Sequence, residues 1–187
     1  MKKTLKIVSL TMAAAMAFAC TACTGAAETV ETSGSEAETS EMEIPNPWSD
    51  IDTLDAAAEA AGIEPLMIAE DGITVDGNPL QLCCYEYMDG MVQAHYSIGA
   101  AEMYIRKGKI ELAQDGDISG DYNTYVNEWT QNIKGLEVNC AGTNDGEAHK
   151  VVWAVGDYAY AIMVEGAGGE EYGLDADSIS SLINGIQ

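Results

Sequence analysis

"LQLCCYEYMDGMVQAHYSI", residues 80–98, decides the fold. Two runs rich in aromatic, β-branched and thiol side chains flank Asp89-Gly90. A two-residue hairpin turn needs positive φ at its centre, which glycine adopts freely and aspartate tolerates, so Asp-Gly between such runs predicts an antiparallel hairpin. A two-residue turn also sets the register. Cys84 then faces His95, Glu86 faces Gln93 and Cys83 faces Tyr96. Strand side chains alternate between faces. Cys83, Tyr85, Tyr87, Val92, Ala94, Tyr96 and Ile98 therefore share the face expected in the core, and Cys84, Glu86, Gln93 and His95 share the other.

The same punctuation recurs downstream. Lys134-Gly135 separates "YVNEWTQNI" from "LEVNCAG", and Gly156-Asp157 separates "HKVVWAV" from "YAYAIMV". "EMYIRK" at residues 102–107 adds a strand. The last hairpin sets Trp153 opposite Tyr160, a cross-strand aromatic pair expected in the core. Two helices bracket the sheet. In "DIDTLDAAAEAAG", residues 50–62, Asp52 or Thr53 caps the start, Gly62 ends it, and Leu54, Ala57, Ala58 and Ala61 form a small apolar face. In "LDADSISSLINGI", residues 174–186, Asp175 is the cap and Leu174, Ile179, Leu182, Ile183 and Ile186 fall on one side at helical spacing. The expected class is α+β: a curved antiparallel meander with a short N-terminal helix and a C-terminal helix packed on one face.

Ahead of this domain the chain changes character. Lys2, Lys3 and Lys6 precede an apolar run over residues 7–19, too short for the roughly 20 residues a mature spanning helix needs. This is the pattern of a secretory signal. Ala17-Phe18-Ala19 fits ordinary signal peptidase. Thr21-Ala22-Cys23 fits a lipobox in which Cys23 becomes the acylated first residue, with Cys20 where leucine is usual. Phe18 is bulky ahead of Cys20, which makes Cys23 the better acceptor. Lipid anchorage at Cys23 is the expectation, and free secretion is the alternative. Residues 24–46 carry six glutamates with no basic or aromatic residue. Such a stretch buries too little to fold and serves as a tether spanning roughly 25–30 Å. The layout is thus a signal over 1–22, a lipidated cysteine and acidic tether over 23–46, and one domain over 47–187.

Formal net charge is −23, and loss of the three signal lysines makes the remainder more acidic still. That excludes nucleic acid and anionic headgroups as natural partners. The membrane enters only through the lipid, and the partner is expected to be an unknown protein or small ligand.

"PWSDIDTLDAAAEAAGI", "YIRKGK", "DISGDYNTY", "VVWAVGDYAYAI" and "LDADSISSLI" occur in this order across nearly all of residues 47–187. The set resembles a family of extracytoplasmic lipoproteins of Gram-positive anaerobes built on a domain of unknown function. The resemblance implies location outside the membrane and an α+β sheet. It implies no activity.

The chemical candidates are few. Cys84 facing His95 offers half a dyad or half a metal site. A mid-strand thiol lacks a helix dipole to favour thiolate. A tetrahedral zinc site needs four ligands, and Cys84, His95 and Glu86 are the obvious ones. Cys83, Cys84 and Cys140 permit one disulfide, but three reduced thiols are expected. Arg106, Lys107 and Lys109 could grip an anion, but a charged strand end that discourages edge pairing explains them more simply. "DGDISGDYN" opens like a calcium loop, with Asp115, Asp117, Ser119 and Asn123 at alternate positions and Gly120 at the turn. The twelfth position, which should carry a bidentate carboxylate, is Val126. A structural acidic loop is expected instead. No catalytic set, resident metal or cofactor is expected. The leading reading is a tethered, non-enzymatic binding module. The alternatives are a cell-envelope enzyme and a structural envelope-stress protein.

Overall fold

The computed structural model describes residues 46–69, 74–166 and 172–186. The expected signal, Cys23 and all of the expected tether but Asn46 lie outside the described residues. Ten strands form: β1 (Ser49–Ile51), β2 (Thr74–Val75), β3 (Asn78–Pro79), β4 (Gln81–Met88), β5 (Met91–Ile98), β6 (Ala101–Lys109), β7 (Asn127–Ile133), β8 (Leu136–Gly142), β9 (Lys150–Val155) and β10 (Tyr158–Gly166). Two helices accompany them, α1 (Leu54–Ala61) and α2 (Ala176–Gly185). The fold is α+β, as the sequence predicts. Among the described residues no helix is long and apolar enough to cross a membrane.

Eight strands make one open antiparallel sheet in the order β1-β4-β5-β6-β10-β9-β8-β7, and β2-β3 form a separate small hairpin. The expected meander is therefore two meanders joined through β6 and β10. Residues 110–126, opening with a 3-10 turn at Ile110–Leu112, carry the chain from β6 to the far edge at β7. All three two-residue turns form where read: Met88 pairs Met91, Ile133 pairs Leu136 and Val155 pairs Tyr158.

Both helices begin, and α1 ends, as their sequences dictate. Thr53 Oγ1 accepts from Ala56 N, and Gly62 closes α1 with φ 65°. Asp175 caps α2 by accepting from Ser178 N. Their apolar faces join one core with the sheet: Ala57, Ala61, Ile179, Leu182 and Ile183 pack with Val92, Ile105, Ile162 and Val151. Trp153 and Tyr160 stack within it, ring centroids 5.2 Å apart.

Two expectations change. Cys83 does not face Tyr96. The register shifts between Leu82 and Cys84, so Leu82 takes Tyr96 while Cys84 keeps His95. Cys83 is the extra residue of a bulge and is exposed, not in the core. A bulge leaves one residue unpaired and re-aims the strand, which no turn chemistry at Asp89-Gly90 could announce. Nor do Arg106, Lys107 and Lys109 guard an edge, because β6 lies in the middle of the sheet, hydrogen-bonded to β5 and β10.

Candidate functional site

The helix-free face of the sheet is the candidate site. Side chains alternate along each strand, so the register brings Asp50, Cys84, Glu86, Gln93, His95, Tyr104 and Arg106 to that face from four adjacent strands. Residues 114–123 cross above it. A second small core of Met91, Ile118, Ala159 and Ala161, with Trp48, Met88 and Val152 against it, holds the crossing segment down.

Arg106 organises the face. Its Nε donates to Gln93 Oε1 at 2.5 Å, and Gln93 Nε2 donates to Glu86 Oε2 at 2.5 Å. Its other guanidinium hydrogens reach the carbonyls of Ile118 and Ser119 in the crossing segment, and the Trp48 ring lies 4.9 Å away. Burial lowers the guanidinium from its ordinary value, opposed by the nearby carboxylates of Glu86 and Asp117. Gly120 is required beneath it for two reasons. Its φ is +66°, and a Cβ there would stand 2.9 Å from Arg106 Nη1.

Two hollows flank this divide. One, of about 1070 Å³, runs past Trp48, Met88, Met91, Asp117 and Val152. The other, of about 630 Å³, is more polar and is lined by Glu86, His95, Tyr104 and Glu165. Trp48, Arg106 and Tyr122 border both, and Tyr122 is 91% exposed at the rim.

Cys84 and His95 meet as read, with Sγ 3.7 Å from Nδ1. The far nitrogen of His95 is buried without a hydrogen-bond partner and points towards Glu102 Oε2 at 3.6 Å. Glu102 in turn accepts from Tyr104 Oη at 2.9 Å, and the Tyr104 ring stacks on His95 at 4.4 Å. Burial, then the carboxylates of Glu86 and Asp50, push the Cys84 thiol up. Asp50 is the residue the sequence reading missed. Its oxygen, Cys84 Sγ and a Glu86 oxygen all lie within 4.8 Å of one another. Strand β1 is three residues long and has no pattern of its own. Its pairing, Asp50 with Glu86, is what delivers the side chain.

The basic trio does not converge. Arg106 is on the helix-free face. Lys107, 3% exposed, points to the other, where Nζ donates to Pro65 O at 2.9 Å and sits 4.5 Å from the Tyr158 ring. Lys109 pairs with Tyr158 on that same opposite face. A joint anion grip is ruled out by the alternation itself.

The acidic loop caps its own backbone. Asp115 and Gly116 form a turn, both with positive φ, closed by hydrogen bonds between Gln114 and Asp117. The following oxygens then cap backbone in sequence. Asp117 Oδ1 accepts from Ser119 N, Ser119 Oγ from Asp121 N and Asp121 Oδ1 from Asn123 N. Lys150 Nζ pairs with Asp117 Oδ2 at 2.9 Å. The three domain thiols are free: Cys83 exposed, Cys84 half-buried and Cys140 buried.

No family model, no curated protein and no solved structure matches the chain.

Proposed function

We propose that this chain is a lipid-anchored extracytoplasmic module that binds a small cationic, partly apolar ligand in the larger hollow of the helix-free face. The hollow carries the reading. At about 1070 Å³ it matches the size of pockets that enclose small ligands. Its apolar wall, Trp48, Met88 and Met91, stands beside the exposed carboxylates of Asp115 and Glu128. In a chain of formal charge −23, the surrounding field draws in cations. The extracytoplasmic location rests on the basic-apolar start, Cys23 and the acidic tether. An envelope enzyme would draw on Cys84, His95 and Glu102. That line favours binding over nucleophilic attack, because burial, and then the carboxylates beside it, push the thiol up, whereas a nucleophile needs thiolate.

The test is thermal denaturation of the full chain with a tripeptide containing lysine and phenylalanine, set against one containing glutamate. The cationic peptide should raise Tm saturably, and Trp48→Ala should reduce the rise. Equal effects of both peptides, or a rise untouched in Trp48→Ala, would reject the reading.

A further inference from the structure

We propose that Cys84, His95, Asp50 and Glu86 bind one zinc-like divalent cation on the helix-free face. The donors are mixed and come from three strands: β1 gives Asp50, β4 gives Cys84 and Glu86, and β5 gives His95. Cys84 Sγ is common to both halves of the set, 3.7 Å from His95 Nδ1 and within 4.8 Å of the Asp50 and Glu86 oxygens; His95 stands outside that mutual 4.8 Å group, so the carboxylates must swing towards the imidazole to share an ion with it. A tetrahedral zinc ion bound to one thiolate and one imidazole sets sulfur and nitrogen about 3.6 Å apart. The pair is thus already at ligand spacing. The same 3.7 Å lies within hydrogen-bond range for sulfur, so an entering ion replaces this thiol–imidazole contact.

The surroundings fit a metal better than a bare thiol. Metal-bound histidines characteristically turn the other ring nitrogen to a carboxylate. Here the buried, unpartnered Nε2 of His95 points at Glu102, itself held by Tyr104 Oη. Gln93 occupies Oε2 of Glu86 and leaves the other oxygen available. Asp50 is exposed, and its rotamer is unconstrained by packing. The sulfur and nitrogen donors select a borderline-soft ion over calcium or magnesium, which prefer all-oxygen sets. On binding, the thiol proton of Cys84 leaves to solvent, the sulfur–metal bond forms, and the cation neutralises the carboxylates that oppose thiolate. No oxidant or reductant is needed.

The experiment is titration of the full chain bearing Cys20→Ser and Cys23→Ser with cobalt(II), under a non-chelating reductant, followed by displacement with zinc. One equivalent should produce a thiolate-to-cobalt charge-transfer band that zinc removes and excess calcium does not. The band should persist in Cys83→Ser and Cys140→Ser and vanish in Cys84→Ser. His95→Gln should weaken binding, and Glu102→Gln should weaken it about tenfold. Circular dichroism checks the fold of each variant, and the histidine and glutamate variants carry the test if Cys84→Ser unfolds. A band that survives Cys84→Ser, calcium displacement as effective as zinc, or no band at one equivalent would overturn the site. None of these results bears on the tripeptide hollow.

Discussion

Lys150 holds the Asp117 oxygen that the backbone of residues 115–123, the stretch that reads like a calcium loop, leaves free. Its ammonium bonds Asp117 Oδ2, and Asp117 Oδ1, Ser119 Oγ and Asp121 Oδ1 accept from backbone N–H groups. The letters of the loop are legible either way, because aspartate and serine cap their own turns with the same oxygens that ligate calcium. What separates the readings is a lysine 33 residues downstream, brought over by β9. Millimolar calcium should therefore leave Tm unchanged relative to chelator, and a rise of several degrees would contradict the ion pair. The pair also has a pH signature. Burial alone would raise the Asp117 carboxyl, but hydrogen bonds from Ser119 and Lys150 outweigh it and hold the group below its ordinary value. A carboxyl depressed in the folded state contributes stability above its unfolded pKa of about 3.9, and that contribution is lost as pH falls through the folded value. Asp117→Asn should cost about 1 kcal/mol at neutral pH, since the group is only partly buried. The cost should shrink towards acid. A loss that stays constant down to low pH would deny the charged interaction.

At the scale of elements, turn chemistry and periodicity carry a long way. Three glycine turns fix three hairpins, and the stacked Trp153–Tyr160 pair lies where the Gly156-Asp157 turn sets it. Helix ends follow from Thr53, Gly62 and Asp175. The rest escapes local reading for physical reasons. A bulge at Cys83 changes pairing without changing composition. Strand β1 has three residues and owes its existence to the edge of β4. The position of β6 depends on its union with β10, a contact between residues more than 45 apart in sequence. Hence the site was half legible: Cys84, His95 and Glu86 could be read from one hairpin, whereas Asp50, the Glu102 contact and the hollow could not. The thiols report this register directly. Cys83 is exposed at its bulge, Cys84 is half-buried, and burial pushes the Cys140 thiol up to about 11. Alkylation followed by mass spectrometry should modify Cys83 first, Cys84 more slowly and Cys140 only on unfolding. Modification of Cys140 at the rate of Cys83 would refute the register of β8 against β9.

Among the described residues, the helices cover one face of the sheet and the crossing segment at 114–123 partly covers the other. The second face is therefore where side chains of both signs, an exposed tyrosine and two hollows collect. The proposed anchor lies in the N-terminal sequence. Cys23→Ala should move the protein from the membrane fraction to soluble or unprocessed forms, and continued processing with membrane retention would defeat the anchor. Of all measurements, the most direct is a backbone-amide NMR titration of the full chain bearing Cys23→Ser with the lysine–phenylalanine tripeptide. The account predicts saturable shifts at Trp48, Arg106 and residues 117–122, with the amides of α1 and α2 unmoved. Shifts centred on the helices, or none at saturating peptide, would contradict it.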